Sequence, residues 1–199
     1  MFKIVWLLSL SSLFFACSSG ISTSNSENEP NSEEVLIPFE GKRIDLDSTL
    51  SIEIPEYFKP TGSLESGALV QYSSLFHGEY LIVLSDEAST SIDRIKFEKA
   101  FNQENSDFLN FAQYSYASFE EKREIIEESE WFEFTVDSIN VLAKAVDIKE
   151  SGDSQTLSYW LSYVEIDDVF YTLKTWTYFN RKRQFEGQVN EMIRSLRKK

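Results

Sequence analysis

The chain has 199 residues and a formal net charge of −14, with 33 acidic residues against 19 Lys and Arg, and a single Cys. One Cys excludes an intramolecular disulfide and a multi-cysteine zinc site. The acidic excess argues against a nucleic-acid partner, because binding to a phosphate backbone requires basic patches. The hydrophobic share of 42% is too high for a chain that is disordered throughout, so we expect one globular domain with a short appendage.

Residues 1–16 have the pattern of a signal peptide. Lys3 is the only charge, and the apolar stretch 4–16 follows it. A helix of that length spans roughly 20 Å at ~1.5 Å per residue, less than the ~30 Å hydrocarbon core of a bilayer. A cleaved lipoprotein or secretory signal is therefore favoured over a transmembrane helix.

Cys17 follows this stretch directly, where residues 13–17 read LFFAC. This motif resembles the lipobox of bacterial lipoproteins, with Phe15 in place of the usual small residue, as in lipoproteins of the Bacteroidota group. The resemblance implies a diacylglycerol attached to the Cys17 sulfur as a thioether and a palmitate-type acyl chain on the Cys17 amine. Together these chains anchor a protein stably. The alternative is an incidental Cys in a secretory peptide. Ser18, and the absence of acids before Glu27, favour the outer membrane and its periplasmic leaflet by resemblance to lipoprotein sorting rules.

Residues 17–35 are interpreted as the lipidated Cys and a flexible Ser/Asn/Glu tether. The segment 18–34 is rich in Ser and nearly devoid of apolar side chains, so it cannot bury enough surface to offset its ordering entropy. Its typical reach is ~20–25 Å. A single folded domain is expected over residues 36–199.

The domain opens with strands. Leu50, Ile52 and Ile54 alternate with polar residues, which predicts a strand with one buried face. A short strand is expected at 68–72, and the continuous apolar run 80–84 predicts a strand buried on both faces.

Two helices are expected next. Thr90 or Ser91 is the candidate cap of a helix that extends to about residue 103. Ser106 or Asp107 is the candidate cap of a second helix, which is expected to end between residues 123 and 126.

The C-terminal half predicts a meander of strands at 131–136, 142–148, 157–163 and 169–179, with a hairpin loop at 151–154 and a tight turn at Asp167-Asp168. A terminal amphipathic helix follows, with Asn180 as its candidate cap. Its apolar stripe consists of Phe185, Val189, Met192, Ile193 and Leu196. Antiparallel strands with segregated helices predict the α+β class.

Three segments carry a resemblance to PsbP-like domains. Residues 52–55 read IEIP, and the aromatic Phe58 follows. The late strand 171–177 leads into the final helix, where residues 192–196 read MIRSL. The resemblance covers about residues 48–197 and implies a curved antiparallel β-sheet flanked by helices. It also implies a binding or assembly role more often than catalysis, and metal sites built from His and carboxylates where members bind metal.

Candidate catalytic groups are few. His77, the only His, lies in a predicted loop, and no Gly-x-Ser-x-Gly motif supplies a nucleophile, so a surface His is favoured over a catalytic one. Acids occur in pairs, which would suit glycoside hydrolysis or calcium binding if they converged in space; a solvated face is favoured. The pairs and the neighbouring acid are Glu120-Glu121, Glu127-Glu128, Glu130 and Asp167-Asp168.

Three tryptophans, Trp131, Trp160 and Trp176, fall on or beside the predicted strands, two of them out of phase with the main apolar face. Packing beneath helices on a second face is favoured, and a ligand-binding aromatic surface is the alternative.

These observations predict a non-enzymatic, membrane-anchored envelope lipoprotein that binds a protein or small ligand at the outer membrane, facing the periplasm. No cofactor is expected. The alternatives are a periplasmic hydrolase that uses carboxylates and a metal, and a cation-binding accessory protein. The sequence does not fix the oligomeric state.

Overall fold

The computed structural model describes residues 39–150 and 155–199, which form two antiparallel sheets and three α-helices. The strands are β1 (Gly41–Asp45), β2 (Leu50–Pro55), β3 (Lys59–Pro60), β4 (Val70–Ser74), β5 (Glu79–Glu87), β6 (Arg123–Glu128), β7 (Phe132–Val136), β8 (Ile139–Glu150), β9 (Thr156–Ile166), β10 (Val169–Tyr178) and β11 (Arg197–Lys198). The helices are α1 (Ala88–Phe97), α2 (Asp107–Glu120) and α3 (Lys182–Arg194), the last preceded by a 3-10 turn at Phe179–Arg181. The α+β class predicted from the sequence is confirmed.

The large sheet has the strand order β3-β4-β5-β10-β9-β8-β6. Strand β8 is twelve residues long, so its outer edge has room for two partners: β7 pairs with its first half and β6 with its second half. The small sheet has the order β1-β2-β11, in which the two residues of β11 return from the end of α3 to pair with β2.

Both faces of the large sheet are covered. Because side chains alternate along a strand, Tyr159 and Trp160 of β9 point to opposite faces. Tyr159 packs in a cluster with α1 and α2, whereas Trp160 packs in a cluster with α3 and β2. Leu81, Ile82 and Val83 of β5 are all buried, which agrees with the prediction of a strand buried on both faces.

All five members of the predicted apolar stripe are buried, but only four lie on α3, because the helix ends at Arg194 and Leu196 follows it. The start of this helix also differs from the prediction, because the 3-10 turn occupies Asn180 and α3 begins at Lys182 without a side-chain cap.

Helix α1 is earlier and shorter than predicted. It begins at Ala88, where Ser89 and Thr90 donate to the Glu87 carboxylate instead of capping the backbone. It ends at Phe97 because Lys99 adopts a positive φ of 58° and turns the chain. Ser106 caps α2 as predicted, accepting from the Leu109 amide.

Residues 123–128 form β6 and not the end of α2. The second half of β8 offers an unpaired row of backbone groups, and pairing with it satisfies the amides and carbonyls of this segment. The periodicity of the segment itself carries no information about its pairing with β8, so it could not predict this strand.

The predicted signal peptide, Cys17, the tether over 17–35, the domain start at residue 36 and the loop at 151–154 lie outside the described residues. No helix in the described part of the chain combines the length and apolar character needed to cross a bilayer.

Candidate functional site

A cleft of about 490 Å³ opens at the end of the molecule where the β4–β5 turn meets the start of α3. We call it the terminal cleft. Its walls carry exposed apolar side chains together with one cation and the single His. It is lined by Leu75, Phe76, His77, Gly78, Gln155, Thr156, Tyr178, Phe179, Asn180 and Arg181.

Behind the cleft, a row of polar side chains crosses five adjacent strands on the α3 face of the sheet. Each member is directly opposite the next in the strand register, so all point to the same face. We call this set the polar row: Ser74, Glu79, Thr177, Ser158 and Asp147. All five are buried. Two of them, Glu79 and Asp147, are carboxylates, a residue type that is rarely buried.

Glu79 is 1% exposed, and burial raises the pKa of its carboxyl group. The Tyr57 hydroxyl oxygen lies 2.6 Å from Oε2 of Glu79 and 2.5 Å from Oε1 of Gln188. A phenol carries one proton and can donate to only one of these oxygens. When Glu79 is protonated, it can donate to Tyr57, and Tyr57 can then donate to Gln188. Burial and the bond to Glu79 also raise the pKa of Tyr57.

Asp147 occupies the other end of the polar row. Its Oδ2 accepts a 2.8 Å hydrogen bond from Nζ of Lys182, the first residue of α3. Its Oδ1, and the hydroxyl of the neighbouring Ser158, are buried without a hydrogen-bond partner in the described part of the chain. The ion pair therefore connects the buried acid of β8 to the start of α3.

Arg181 connects the polar row to the cleft. Its Nη2 lies 4.0 Å from Oε1 of Glu79 and donates to Nδ1 of His77 at 3.1 Å. Its Nε is buried without a partner within residues 39–150 and 155–199, and 26% of the side chain as a whole is exposed. The His77 ring packs on Tyr57, with their centroids 4.6 Å apart.

This arrangement does not bring catalytic groups together. His77 uses Nδ1 to accept from Arg181, and no Ser, Thr or Cys is bonded to its ring in the described residues. Glu79 and Asp147 are three strand spacings apart, about 14 Å between backbones, beyond the ~5–9.5 Å that two carboxylates of a glycosidase require.

The paired acids identified in the sequence do not converge either. Glu128 accepts from Tyr116, which holds the pKa of this carboxyl below its usual range, and Lys144 lies 3.4 Å away. Asp167 pairs with Lys198 on the surface. Within the described ranges, no three His, Cys, Asp or Glu side chains are grouped so that they could hold a metal ion.

The tryptophans are parts of packed layers. Trp160 is buried beneath α3 with its ring against Phe185. Trp176 is stacked between Tyr80 and Tyr159, with centroids at 4.9 and 5.3 Å, so both of its faces are occupied. This favours covered packing over an aromatic platform for a ligand.

Sequence reasoning missed the polar row and the exposed rim of the cleft. Asp147 and Glu79 occur in predicted strands or beside them, but the register that places them in one row depends on strand pairing. Leu75 and Phe76 could have been found as two large apolar residues inside a predicted turn, where burial is not available.

No protein-family model matches the chain, and no curated protein matches it. Solved structures do match. The solution structure of cyanobacterial PsbP (CyanoP) from Synechocystis sp. PCC 6803 has a TM-score of 0.52 at 12% identity, over 83% of this chain and 96% of that chain. The Ran-binding protein Mog1p of Saccharomyces cerevisiae has a TM-score of 0.50 at 12% identity, over 80% of this chain and 96% of that chain. The PsbP-like fold expected from the resemblance is confirmed, and at this identity the likeness concerns the fold alone.

Proposed function

We propose that this chain, which has a PsbP/Mog1-like fold, is a non-enzymatic binding module of the bacterial cell envelope. In this proposal the terminal cleft recognises a segment of a partner protein. The lipidated Cys17 and the tether over 17–35 hold the domain at the periplasmic face of the outer membrane.

The observation that carries the proposal is the clustering of exposed apolar side chains. Eight large hydrophobic side chains are exposed in residues 39–150 and 155–199, and four of them line the terminal cleft. These four are Leu75, Phe76, Tyr178 and Phe179. Clusters of this kind on a protein surface mark interaction sites, whereas apolar residues scattered singly need no explanation.

The chemistry of the cleft defines the partner segment. Phe76 is 90% exposed and offers apolar contact, while Arg181, whose side chain is 26% exposed, supplies a positive charge. A guanidinium pairs best with a carboxylate, to which it can donate two parallel hydrogen bonds. The matching partner segment carries a large apolar side chain next to an Asp, a Glu or a C-terminal carboxylate.

A binding role agrees with the geometry better than the hydrolase alternative. The two buried acids, Glu79 and Asp147, are bonded to Tyr57 and Lys182 and are separated by about 14 Å across the sheet. Among proteins with this fold, Mog1p is itself a Ran-binding protein.

The envelope location is supported by the sequence at Cys17. The lipobox-like LFFAC motif supplies the thiol, and two or three acyl chains would anchor the chain stably. A reach of ~20–25 Å for the tether would let the domain meet partners close to the membrane.

Site-specific photocrosslinking in the native envelope tests this function. The crosslinking residue benzoylphenylalanine replaces Phe76 in one full-length chain and Phe97 in another. Phe97 is the matched control, because it is 87% exposed at the end of α1 and does not line the cleft. We expect a discrete protein adduct from position 76, absent from position 97 and weakened by Arg181→Met.

An absence of adducts at position 76 would contradict the proposal, as would the same adducts at position 97. Undiminished crosslinking in the Arg181→Met background would contradict the acidic character of the partner segment.

A further inference from the structure

A second cavity, of about 560 Å³, opens on the α2 side of the large sheet. Strands β5, β10 and β9 form its floor, and α2 and the β3–β4 loop, residues 61–69, contribute its walls. We call it the cationic groove. It shares no lining residue with the terminal cleft, and its volume falls in the range of roughly 300–1,000 Å³ that is typical of small-molecule sites.

The charge of the groove is opposite to that of the chain. Four cations and two acids line it, so the lining carries a formal charge of +2 in a chain with a net charge of −14. A concave surface with an excess of positive charge attracts anions from solution. The charged lining residues are Arg94, Lys122, Arg123, Lys174, Glu65 and Asp86.

The floor of the groove is polar although it lies beneath a helix. Side chains alternate along β10, so Thr172 and Lys174 both face α2, where a covered sheet ordinarily carries apolar residues. Nζ of Lys174 donates to Oε2 and Oε1 of Glu65 at 2.9 and 3.2 Å. Gln71 holds the same part of the loop, because its Oε1 accepts from the Leu64 and Glu65 amides. The floor and the loop wall are therefore joined by polar contacts around an ammonium group.

Aromatic rings of α2 position two guanidinium groups at the opposite wall. Arg123 lies over the ring of Phe119, with its Cζ 4.1 Å from the centroid, and its Nη1 donates to the Phe119 carbonyl at 2.7 Å. Arg94 of α1 lies over the ring of Tyr114 at 5.6 Å. A guanidinium with its face on a ring keeps the N–H groups at its edge for a carboxylate or a phosphate.

These cations have charge to offer a ligand. Within residues 39–150 and 155–199, Arg94, Lys122 and Arg123 form no ion pair. The Nε of Arg123 is buried and its Nη1 is bonded to the Phe119 carbonyl, which leaves Nη2 as the nitrogen for a ligand. Arg94 and Lys122 are exposed.

The groove suits an anion with two or more charges. A single carboxylate would neutralise half of the excess positive charge, whereas a compact polyanion is attracted by several cations at once. An apolar ligand has no matching surface above Thr172 and Lys174, and would cost these groups their hydration. Phosphate groups and carboxylates both accept parallel hydrogen bonds from a guanidinium.

We propose that the cationic groove binds a small hydrophilic polyanion through Arg94, Lys122 and Arg123, with phosphate or carboxylate groups as the acceptors. This site is independent of the partner site at the terminal cleft, and either can exist without the other.

Titration calorimetry on the full chain, purified in an uncharged detergent and at low ionic strength, tests the site. The probes are pyrophosphate and citrate, polyanions built from the two kinds of acceptor, and acetate is the singly charged control. We expect saturable binding of at least one polyanion, about tenfold or more tighter than acetate and weakened by added salt. The polyanion that binds more tightly identifies the acceptor. Binding of neither, or of acetate equally well, would overturn the proposal.

Removing single charges locates the bound anion. Arg123→Gln should weaken polyanion binding about ten- to hundredfold, because it removes a charge-assisted hydrogen bond. Arg194→Gln is the matched control, since it removes the same charge from α3, where the side chain is 72% exposed and does not line the groove. Equal weakening by the two variants would overturn the proposal, because net charge alone would then account for binding.

Asp86→Asn should change the affinity in the opposite direction. Asp86 lines the groove and forms no ion pair in the described part of the chain, so it repels an anion there. Its neutralisation should tighten binding about threefold, which structural damage would not do. Unchanged or weaker binding would contradict an anion in this groove.

A further variant covers the case in which Arg123→Gln fails to fold. Arg94→Gln combined with Lys122→Gln changes two exposed positions and should weaken polyanion binding about tenfold. Unchanged affinity in this double variant would overturn the proposal.

Discussion

Lys182 donates a 2.8 Å hydrogen bond from Nζ to Oδ2 of Asp147, a carboxylate that is 1% exposed on β8 of the large sheet. A cation in the first turn of a helix is disfavoured by the helix dipole. Here the buried acid compensates for that cost, and the pair connects the start of α3 to β8. The same end of α3 carries Arg181 into the terminal cleft, so this ion pair positions the candidate site.

Removing the Lys182 ammonium group should lower the stability of the fold. In Lys182→Met the Asp147 carboxylate stays buried without its partner, and we expect the free energy of unfolding to fall by about 2–3 kcal/mol, since the Lys head group is only partly buried. Urea unfolding at neutral pH measures this. Lys198→Met is the matched control, because its pair with Asp167 is exposed and should contribute less than about 0.5 kcal/mol. Equal costs for the two variants would contradict this account.

Glu79 should make the protein less stable as pH rises. Burial raises the pKa of Glu79, so the folded state retains its proton to a higher pH than the unfolded chain does. Stability therefore declines as pH rises from the ordinary carboxyl value of 4.5 to the folded pKa. Glu79→Gln should remove this decline, so its free energy of unfolding relative to the unsubstituted chain should increase from about pH 4 to about pH 8.

Asp47 provides a control whose contribution to stability depends on pH in the opposite direction. Burial alone would raise the pKa of this carboxyl, but hydrogen bonds from Tyr171, Thr49 and the Leu50 amide outweigh it and lower the pKa. Its contribution is present above the unfolded pKa and is lost as pH falls through the folded pKa. The cost of Asp47→Asn, about 1–2 kcal/mol near neutrality, should therefore shrink at acid pH. Parallel pH profiles for the two variants would contradict both assignments.

Gly78 should tolerate no side chain. Its φ of +64° is in the left-handed region, and a Cβ there would lie 2.6 Å from Cε2 of Tyr178. Gly67 has a similar φ of +83° with open space around it. We expect Gly67→Ala to cost about 1 kcal/mol from backbone strain and Gly78→Ala about 2–3 kcal/mol, because the Tyr178 ring must also move. Chemical unfolding of both variants checks this, and equal costs would exclude the overlap with Tyr178.

The anchor prediction concerns Cys17. Cys17→Ser removes the thiol that would carry the diacylglycerol, so the chain should move from the outer-membrane fraction to the soluble fraction and lose labelling by palmitate. Ser18→Ala is the matched control and should keep both properties. Continued membrane association of the Cys17→Ser chain would show that lipidation is not what holds it there.

Sequence periodicity located most of the elements because it reports local chemistry. The alternation at Leu50, Ile52 and Ile54 predicted β2, and the 3-4 spacing from Phe185 to Leu196 predicted the buried stripe of the last helix. It missed β6, because the segment 123–128 is extended only through its pairing with β8. It also missed β11, since two residues after a helix carry no pattern of their own.

The candidate site could be predicted from the sequence less well than the fold. His77 was identified as a loop residue, but its neighbours Arg181 and Tyr57 come from segments far away in the chain. Glu79 and Asp147 belong to one row only because β10 and β9 lie between their strands and bring Thr177 and Ser158 into register with them.

The sequence by itself determined the α+β class, the amphipathic final helix and the expectation of a lipid anchor at Cys17, because periodicity and signal motifs are properties of neighbouring residues. Only the tertiary structure decided that both sheet faces are covered, that Trp160 is buried beneath α3 with no acceptor for its N–H among the described residues, and that a polar row lies behind a cleft with an apolar rim. Those features depend on strand order and register, which arise from contacts between residues distant in the chain.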